Sequence, residues 1–169
     1  MQKETFTVSI STENTVGMLS RVTTIFTKRH LNIESLTVSE SEIPGIHRFT
    51  VEVVTAEETV QKTVKQLEKQ VDVVRAYYHR SEEIFTQEIA MYKLSTEHLY
   101  ETDCQSVIKS NSGRIIGIEK EFFVVERAGT YTETKKLYDE LQPFGLMQFV
   151  RSGRIAITKP KMLISEFIR

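Results

Sequence analysis

The sequence is poor in cysteine and has no long hydrophobic run. Cys104 is the only cysteine among 169 residues, so an intrachain disulfide is impossible and a reducing compartment, the cytoplasm, is expected. The longest apolar runs have about four residues, whereas a helix that spans a bilayer needs about 20. The opening residues 1–5 also lack the apolar stretch that is typical of a secretory signal. These absences argue against a secreted or membrane-spanning protein.

An excess of charge of either sign is also missing. The chain has 22 Lys plus Arg and 23 Asp plus Glu, which gives a formal net charge of −1. Bulk electrostatic binding of nucleic acid favours a strongly basic face, so this balance gives no support to a nucleic-acid-binding function. Hydrophobic residues make up 40% of the chain and charged residues 27%, which is typical of a soluble globular protein.

The common catalytic and cofactor motifs are absent from the sequence. It contains no Walker A loop, no G-x-G-x-x-G, no G-x-S-x-G elbow and no H-E-x-x-H. The histidines show no close metal-ligand spacing, and each is interpreted as an exposed polar residue: His30, His47, His79 and His98. Cys104 lies on a predicted helix, has no indicated histidine partner, and is interpreted as a small buried residue and not a nucleophile. We therefore expect no catalytic or metal site in this chain.

Hydrophobic periodicity predicts an α+β domain in the first half. The period-two residues Phe6, Val8 and Ile10 predict a strand, and a helical period begins at Met18. The further predicted elements are a strand at 31–38, a strand from about 47, a helix at 56–70 and a strand at 71–78. This order, β-α-β-β-α-β, is the ferredoxin-like arrangement.

The second half repeats this order without repeating the sequence. Strands are predicted at 89–94, 115–118 and 122–125, helices at 100–109 and after Gly129, and a strand pair or one long bent strand at 146–157. A charged stretch at 80–83 separates the two halves. We therefore expect two ferredoxin-like βαββαβ domains, at 4–80 and 84–169.

The most informative segment joins the first strand to the first helix, at 14–21. Free backbone N–H groups at a helix N-terminus, together with the helix dipole, favour a small anion such as a carboxylate. Gly17 permits a positive φ and a close approach of ligand to backbone, and Asn14 can offer both donors and an acceptor. An ordinary strand-to-helix turn explains the same loop about equally well. Asn32, at the predicted start of the second strand, is either a turn residue or a ligand contact.

These segments carry a resemblance to a known family. The runs 13–22 (ENTVGMLSRV), 32–36 (NIESL) and 48–51 (RFTV) resemble the patterns E-N-x-x-G-x-L-S-R-V, N-I-E-S-L and S-R-M-T. Those patterns open the regulatory (small) subunit of acetolactate synthase, also called acetohydroxyacid synthase. In the second half, 143–146 (PFGL) and 150–153 (VRSG) are similar to the family's P-F-G-I and A-R-T-G. The resemblance covers nearly the whole chain, although His47 replaces the usual serine and 100–121 match only loosely.

The resemblance implies a regulatory protein and not an enzyme. Its first domain, 4–80, would be an ACT domain that dimerises and binds a branched-chain amino acid, with valine as the first candidate, at the dimer interface for feedback inhibition. The second domain, 84–169, would contribute to activating a separate catalytic (large) subunit in branched-chain amino acid biosynthesis. Thiamine diphosphate, magnesium and FAD are then expected in the catalytic subunit, and no cofactor is expected in this chain.

The resemblance also places the family's effector site on particular residues. One subunit would supply Asn14, Gly17, Met18 and Leu19, and its partner would supply Asn32 and Ile33. Backbone N–H groups of the Gly17 loop would hold the effector carboxylate, and the asparagine amides would hold the polar end. Leu19 and Ile33 would line the pocket for the effector side chain.

An alternative function is a free-standing ACT-domain protein that senses an amino acid and regulates transcription or another enzyme. No helix-turn-helix candidate or basic stripe supports a DNA-binding version of it. An enzyme of unrecognised type is disfavoured because no acid, base or nucleophile constellation is present. Co-purification with a large catalytic subunit would discriminate between the first two functions.

Overall fold

The structure is a computed structural model that describes residues 3–162, and it divides the chain into two units. The first unit contains residues 3–85 and 154–162, and the second contains residues 86–153. Each unit has the element order β-α-β-β-α-β, which confirms the predicted pair of ferredoxin-like domains. No helix in the part of the chain that the structure describes is long and apolar enough to cross a membrane.

The first unit is a four-stranded sheet with two helices. Its elements are β1 (Glu4–Glu13), α1 (Met18–Lys28), β2 (Ser35–Glu40), β3 (Ile46–Thr55), α2 (Glu57–Leu67) and β4 (Val73–Arg80). The strand order is β2-β3-β1-β4, and every neighbouring pair is antiparallel. Phe6, Val8 and Ile10 alternate along β1 and are fully buried, in one core with Phe26 of α1 and Leu67 of α2. The predicted alternation therefore corresponds to the core face of the central strand.

The second strand begins later than its sequence pattern predicts. Residues 31–34 were expected in the strand, but β2 starts only at Ser35. His30, two residues after the end of α1, has a positive φ of 55°, and the chain then turns back so that Leu31 N–H donates to Phe26 O. Leu31 and Ile33 pack against the core from this connection. Their alternating apolar spacing resembles that of a strand, but it belongs to a loop that packs on the core.

The second unit repeats the topology. Its elements are β5 (Ile84–Ser95, which begins in the first unit), α3 (Thr102–Ser110), β6 (Arg114–Ile118), β7 (Phe122–Gly129), α4 (Tyr131–Leu141) and β8 (Leu146–Arg151). The strand order is β6-β7-β5-β8, and β9 (Ile155–Thr158) also pairs with β5. The region 146–157 thus forms two strands that each pair with β5. Tyr92, Leu94, Phe123 and Leu137 are fully buried in the core of this unit.

Arg154 attaches the C-terminal segment to the first sheet. Its guanidinium lies 3.0 Å from Glu52 Oε1 and 3.4 Å from Thr7 Oγ1. Its backbone N–H donates to Ser35 Oγ at 2.9 Å, and its carbonyl accepts from the Thr37 hydroxyl. Thr7, Glu52 and Ser35 are paired across β1, β3 and β2, on the face opposite the helices. The described residues 154–162 thus belong to the first unit, whereas the sequence analysis placed them in the second domain.

Removing the Arg154 side chain should destabilise the first unit. In Arg154→Ala the Glu52 carboxylate, whose side chain is 20% exposed, loses a cation that is 16% exposed. We expect the free energy of unfolding to fall by about 2 kcal/mol, measured by urea titration, because a mostly buried ion pair and the hydrogen bond to Thr7 are lost. The control is Lys62→Ala, which breaks an ion pair with Glu58 whose side chains are more than half exposed, and should cost under about 1 kcal/mol. Equal losses in the two variants would contradict a structural role for Arg154.

Candidate functional site

The loop 14–17 connects β1 to α1 and places Gly17 directly before the helix. Gly17 adopts φ 86° and ψ 0°, a left-handed conformation that residues with a side chain rarely adopt. A Cβ atom on Gly17 would meet no heavy atom within 4 Å. Backbone conformation, and not crowding, is therefore what requires glycine at this position.

The first turn of α1 is open to an anion. Within residues 3–162, the backbone N–H groups of Leu19 and Ser20 have no hydrogen-bond partner, and no side chain caps the helix. The first turn also contains no acidic residue, whereas the first turn of α2 contains Glu57 and Glu58. Free donors and the positive end of the helix dipole both favour a bound anion. This end of the helix can hold a small carboxylate with main-chain atoms alone.

The side chains of the three residues expected in the site near Gly17 differ in their exposure to solvent. Asn14 is exposed, its side chain makes no hydrogen bond to another described residue, and its N–H donates to Gly45 O at 2.9 Å. Leu19 is 51% exposed. Met18 is only 4% exposed because its side chain lies in the core with Val22. Met18 can therefore face a ligand only with its main chain.

Asn32 and Ile33 lie on the other connection of α1, just before β2. The Asn32 amide donates to Glu34 Oε1 at 2.8 Å, and Ile33 is partly buried against the first core. No hydrogen bond within the described chain joins either residue to the loop 14–17. Within one copy of the chain, the expected site residues thus lie at the two ends of α1, in two groups that no described hydrogen bond joins.

Arg21 is a part of the site that the sequence analysis quoted but gave no role. Its guanidinium donates to Thr15 Oγ1 at 3.0 Å and forms an ion pair with Asp72. Asp72 lies in the connection between α2 and β4, and its carbonyl accepts from Glu13 N–H at 2.9 Å. Arg21 was visible inside the motif 13–22, but nothing local in the sequence indicates a partner so far along the chain.

The cysteine and the histidines do not form a reactive site among the described residues. Cys104 is fully buried, as predicted, and burial raises the pKa of its thiol. His30 is exposed as predicted, but the other three histidines are partly buried, so that prediction was wrong for them. His98 packs edge-on against the Phe144 ring at 6.0 Å, and His79 packs against the Tyr77 ring at 5.2 Å. Among residues 3–162 no group of three or more His, Cys, Asp or Glu could hold a metal ion.

A buried polar cluster lies beneath α4 in the second unit. Tyr92 donates to the Thr134 carbonyl at 2.7 Å, and the Thr134 hydroxyl donates to Glu88. Arg151 lies 3.6 Å from Glu88 Oε1. Burial first, and then the Glu88 charge, raise the pKa of Tyr92 to about 12. Because these groups satisfy one another, the cluster fixes the position of α4 on its sheet.

Comparison with known proteins gives a consistent result over both units. The family described as AHAS small subunit-like ACT domain matches residues 8–75, and the family described as small subunit of acetolactate synthase matches residues 87–160. The acetolactate synthase small subunit of Bacillus subtilis (strain 168) is 31% identical over 90% of this chain and 89% of its own length. That of Mycobacterium leprae (strain TN) is 31% identical over 92% of each chain.

The solved structures include a similar protein. The crystal structure of the acetolactate synthase small subunit from Thermotoga maritima superposes with a TM-score of 0.85 at 25% identity. The match covers 94% of this chain and 99% of that chain. The likeness therefore extends over both units and does not stop at the first.

The raised pKa of Tyr92 predicts a loss of stability at alkaline pH. The tyrosines of the unfolded chain ionise near pH 10, whereas Tyr92 in the folded protein ionises near 12. Between these values the folded state holds more protons, so stability falls as pH rises, by up to about 1.4 kcal/mol per pH unit. Urea unfolding from pH 9 to 11 should show a smaller decline for Tyr92→Phe than for the parent. Tyr100→Phe, at a position 86% exposed, should keep the decline of the parent, and identical slopes in all three proteins would contradict the prediction.

Proposed function

The chain belongs to the acetolactate synthase small-subunit family, and from this membership we propose that it is the non-catalytic regulatory subunit of an acetolactate synthase. The proposed partner is the catalytic (large) subunit, which would carry the thiamine diphosphate, magnesium and FAD. The alternative of a free-standing amino-acid sensor is disfavoured, because the match to the small subunit continues through residues 87–160.

The proposed effector is a branched-chain amino acid, with valine as the first candidate. The observation that supports this is the helix end at Gly17, where the N–H groups of Leu19 and Ser20 have no hydrogen-bond partner among the described residues and the first turn of α1 contains no acidic residue. These donors suit the effector carboxylate. Leu19, half exposed beside them, suits an aliphatic effector side chain, and the exposed Asn14 amide suits the polar end.

The proposed site is completed by a second copy of the chain. Asn32 and Ile33 lie on the connection from α1 to β2, and no hydrogen bond of the described chain joins them to the loop 14–17, which is compatible with their being supplied by a partner subunit. Directly after them, β2 forms an edge of the first sheet, with one row of backbone groups that no strand of the described chain pairs. An edge strand of this kind favours association, and the closed symmetry of a homodimer would build two equivalent sites.

The two units are proposed to have different tasks. The first would bind the effector and dimerise, and the second would contribute to activation of the catalytic subunit. A chain cut near residue 80 is a poor test of this division, since it also loses the contacts that Arg154 makes with the first sheet.

Reconstitution with the catalytic subunit of the same organism tests the proposed function. The purified chain alone should form no acetolactate, whereas its addition should raise the activity of the catalytic subunit several-fold. Valine, leucine and isoleucine are then titrated separately, and valine should inhibit at the lowest concentration. Turnover by the pure chain, or no effect on the catalytic subunit, would overturn the proposal.

Gly17→Asp should produce an activating subunit that no longer responds to effector. The new carboxylate would lie beside the effector carboxylate, and repulsion in a partly desolvated site should weaken valine binding by about a hundredfold. Gly17→Asn is the matched control, because asparagine has the same shape and tolerates positive φ but carries no charge. It should weaken binding by only about tenfold or less.

Calorimetry with valine measures both variants, and a thermal melt and sedimentation confirm that each folds and dimerises like the parent. Similar affinities for the aspartate and asparagine variants would show that charge at Gly17 does not matter. Parent-like affinity in Gly17→Asp would show that the effector binds elsewhere.

A further inference from the structure

The guanidinium of Arg21 joins two segments that are far apart in sequence. One terminal nitrogen, Nη2, donates to Thr15 Oγ1 at 3.0 Å, and the other, Nη1, pairs with Asp72 Oδ2. The Arg21 side chain is 44% exposed and that of Asp72 is 19% exposed. Arg21 lies on the first turn of α1, Thr15 lies in the loop before it, and Asp72 lies in the connection between α2 and β4.

The loop 14–17 has few other attachments. Just before it, the last residue of β1, Glu13, donates its N–H to Asp72 O, and at the start of the loop Asn14 N–H donates to Gly45 O, each at 2.9 Å. Beyond Asn14, the bond from Arg21 to Thr15 is the only hydrogen bond in the described chain that a side chain of this loop makes. Val16 is fully exposed and Gly17 has no side chain. The main chain of Thr15 makes only local bonds, with its N–H donating to Glu13 O at 3.0 Å and its carbonyl accepting from Met18 N–H at 3.3 Å. Arg21 is therefore the side chain that ties the middle of the loop to the helix and, through Asp72, to the connection before β4.

We propose that Arg21 is a positioning residue for the effector, and that Asp72 orients it. The Arg21–Asp72 pair fixes the position of Thr15. Because Gly17 is only two residues further on, the pair also fixes the left-handed conformation of Gly17 and the direction of the Leu19 and Ser20 N–H groups that follow it. The planar fork of arginine suits this task because its two terminal nitrogens can bind two acceptors at once. This inference rests on the proposed effector site and adds the residues that keep that site in shape.

The same geometry has a second reading, in which Arg21 binds the effector carboxylate directly. The two readings differ in the expected effect of Asp72→Asn. If Arg21 were a direct ligand, removing the Asp72 charge would free the guanidinium and leave binding unchanged or tighter. If Arg21 is a positioning residue, the same change releases it from its anchor and weakens binding.

The experiment measures valine affinity by calorimetry on the full chain in four variants: Thr15→Val, Arg21→Gln, Arg21→Lys and Asp72→Asn. We expect each to bind about fivefold more weakly, the scale of a partly exposed pair. Arg21→Lys should not rescue binding, since an ammonium group keeps the charge but not the planar fork. The double variant Arg21→Gln, Asp72→Asn should be no worse than either single change, because the two residues act as one device.

Lys62→Gln is the matched control, since it breaks another ion pair of the first unit, with Glu58, away from the loop. Its valine affinity should equal that of the parent. Amide hydrogen exchange across residues 14–20 gives a readout that does not depend on ligand, and it should be faster in Arg21→Gln and unchanged in Lys62→Gln. Melting temperatures of all variants should stay within a few degrees of the parent.

The outcomes separate this inference from the proposed function. If the parent binds valine and Arg21→Gln and Thr15→Val bind it with the same affinity, the positioning role is wrong and the proposed effector site is unaffected. Tighter or unchanged binding in Asp72→Asn together with loss in Arg21→Gln would overturn it in favour of direct contact. A parent chain that binds no branched-chain amino acid would overturn the proposed function and this inference with it.

Discussion

Burial of one face of an antiparallel sheet beneath two helices is the constraint on which both units depend. Each fully buried aliphatic or aromatic side chain, such as Phe6 or Val8 on β1, contributes about 1.5–3 kcal/mol relative to an exposed one. Because β1 is central and pairs with both β3 and β4, the end of this strand is fixed from two sides. The loop 14–17 therefore leaves a strand end that is bonded on both sides: Glu13 N–H donates to Asp72 O in the connection before β4, and Asn14 N–H donates to Gly45 O in the connection before β3. The candidate site thus takes its position from the core.

Local patterns in the sequence were sufficient for most of the fold. Period-two alternation marked β1, and the helical period from Met18 marked α1, because each pattern reports the apolar face that enters the core. The start of β2 was placed at Leu31, since a packed loop can carry the same apolar spacing as a strand. The return of Arg154 to the first sheet had no local signal. Its partners precede it by more than a hundred residues, and no periodicity encodes such a contact.

The candidate site was predictable in its main chain and less so in its side chains. The glycine at the strand-to-helix junction indicated a left-handed residue, and Gly17 adopts that conformation. Met18 was given two roles, in the helix stripe and in the effector site, and its side chain serves only the first. The hydrogen bond from Arg21 to Thr15 joins residues that are close in sequence, whereas the ion pair of Arg21 with Asp72 depends on the tertiary structure. The sequence therefore indicated the main-chain donors at the start of α1, but not the tertiary contact with Asp72 that orients Arg21.

The contacts of Arg154 also bear on how the chain folds as it leaves the ribosome. Domains that are continuous in sequence can fold from the N-terminus while synthesis goes on. Here the first unit is interrupted by residues 86–153, so its strands can form early, but Glu52 gains its arginine only after the whole intervening unit has been translated. Until then, the face of the nascent sheet that Arg154 contacts lacks that contact. The late arrival of one residue thus ties completion of the first unit to synthesis of the second, and a chain truncated between them would leave the ribosome with its first unit unfinished.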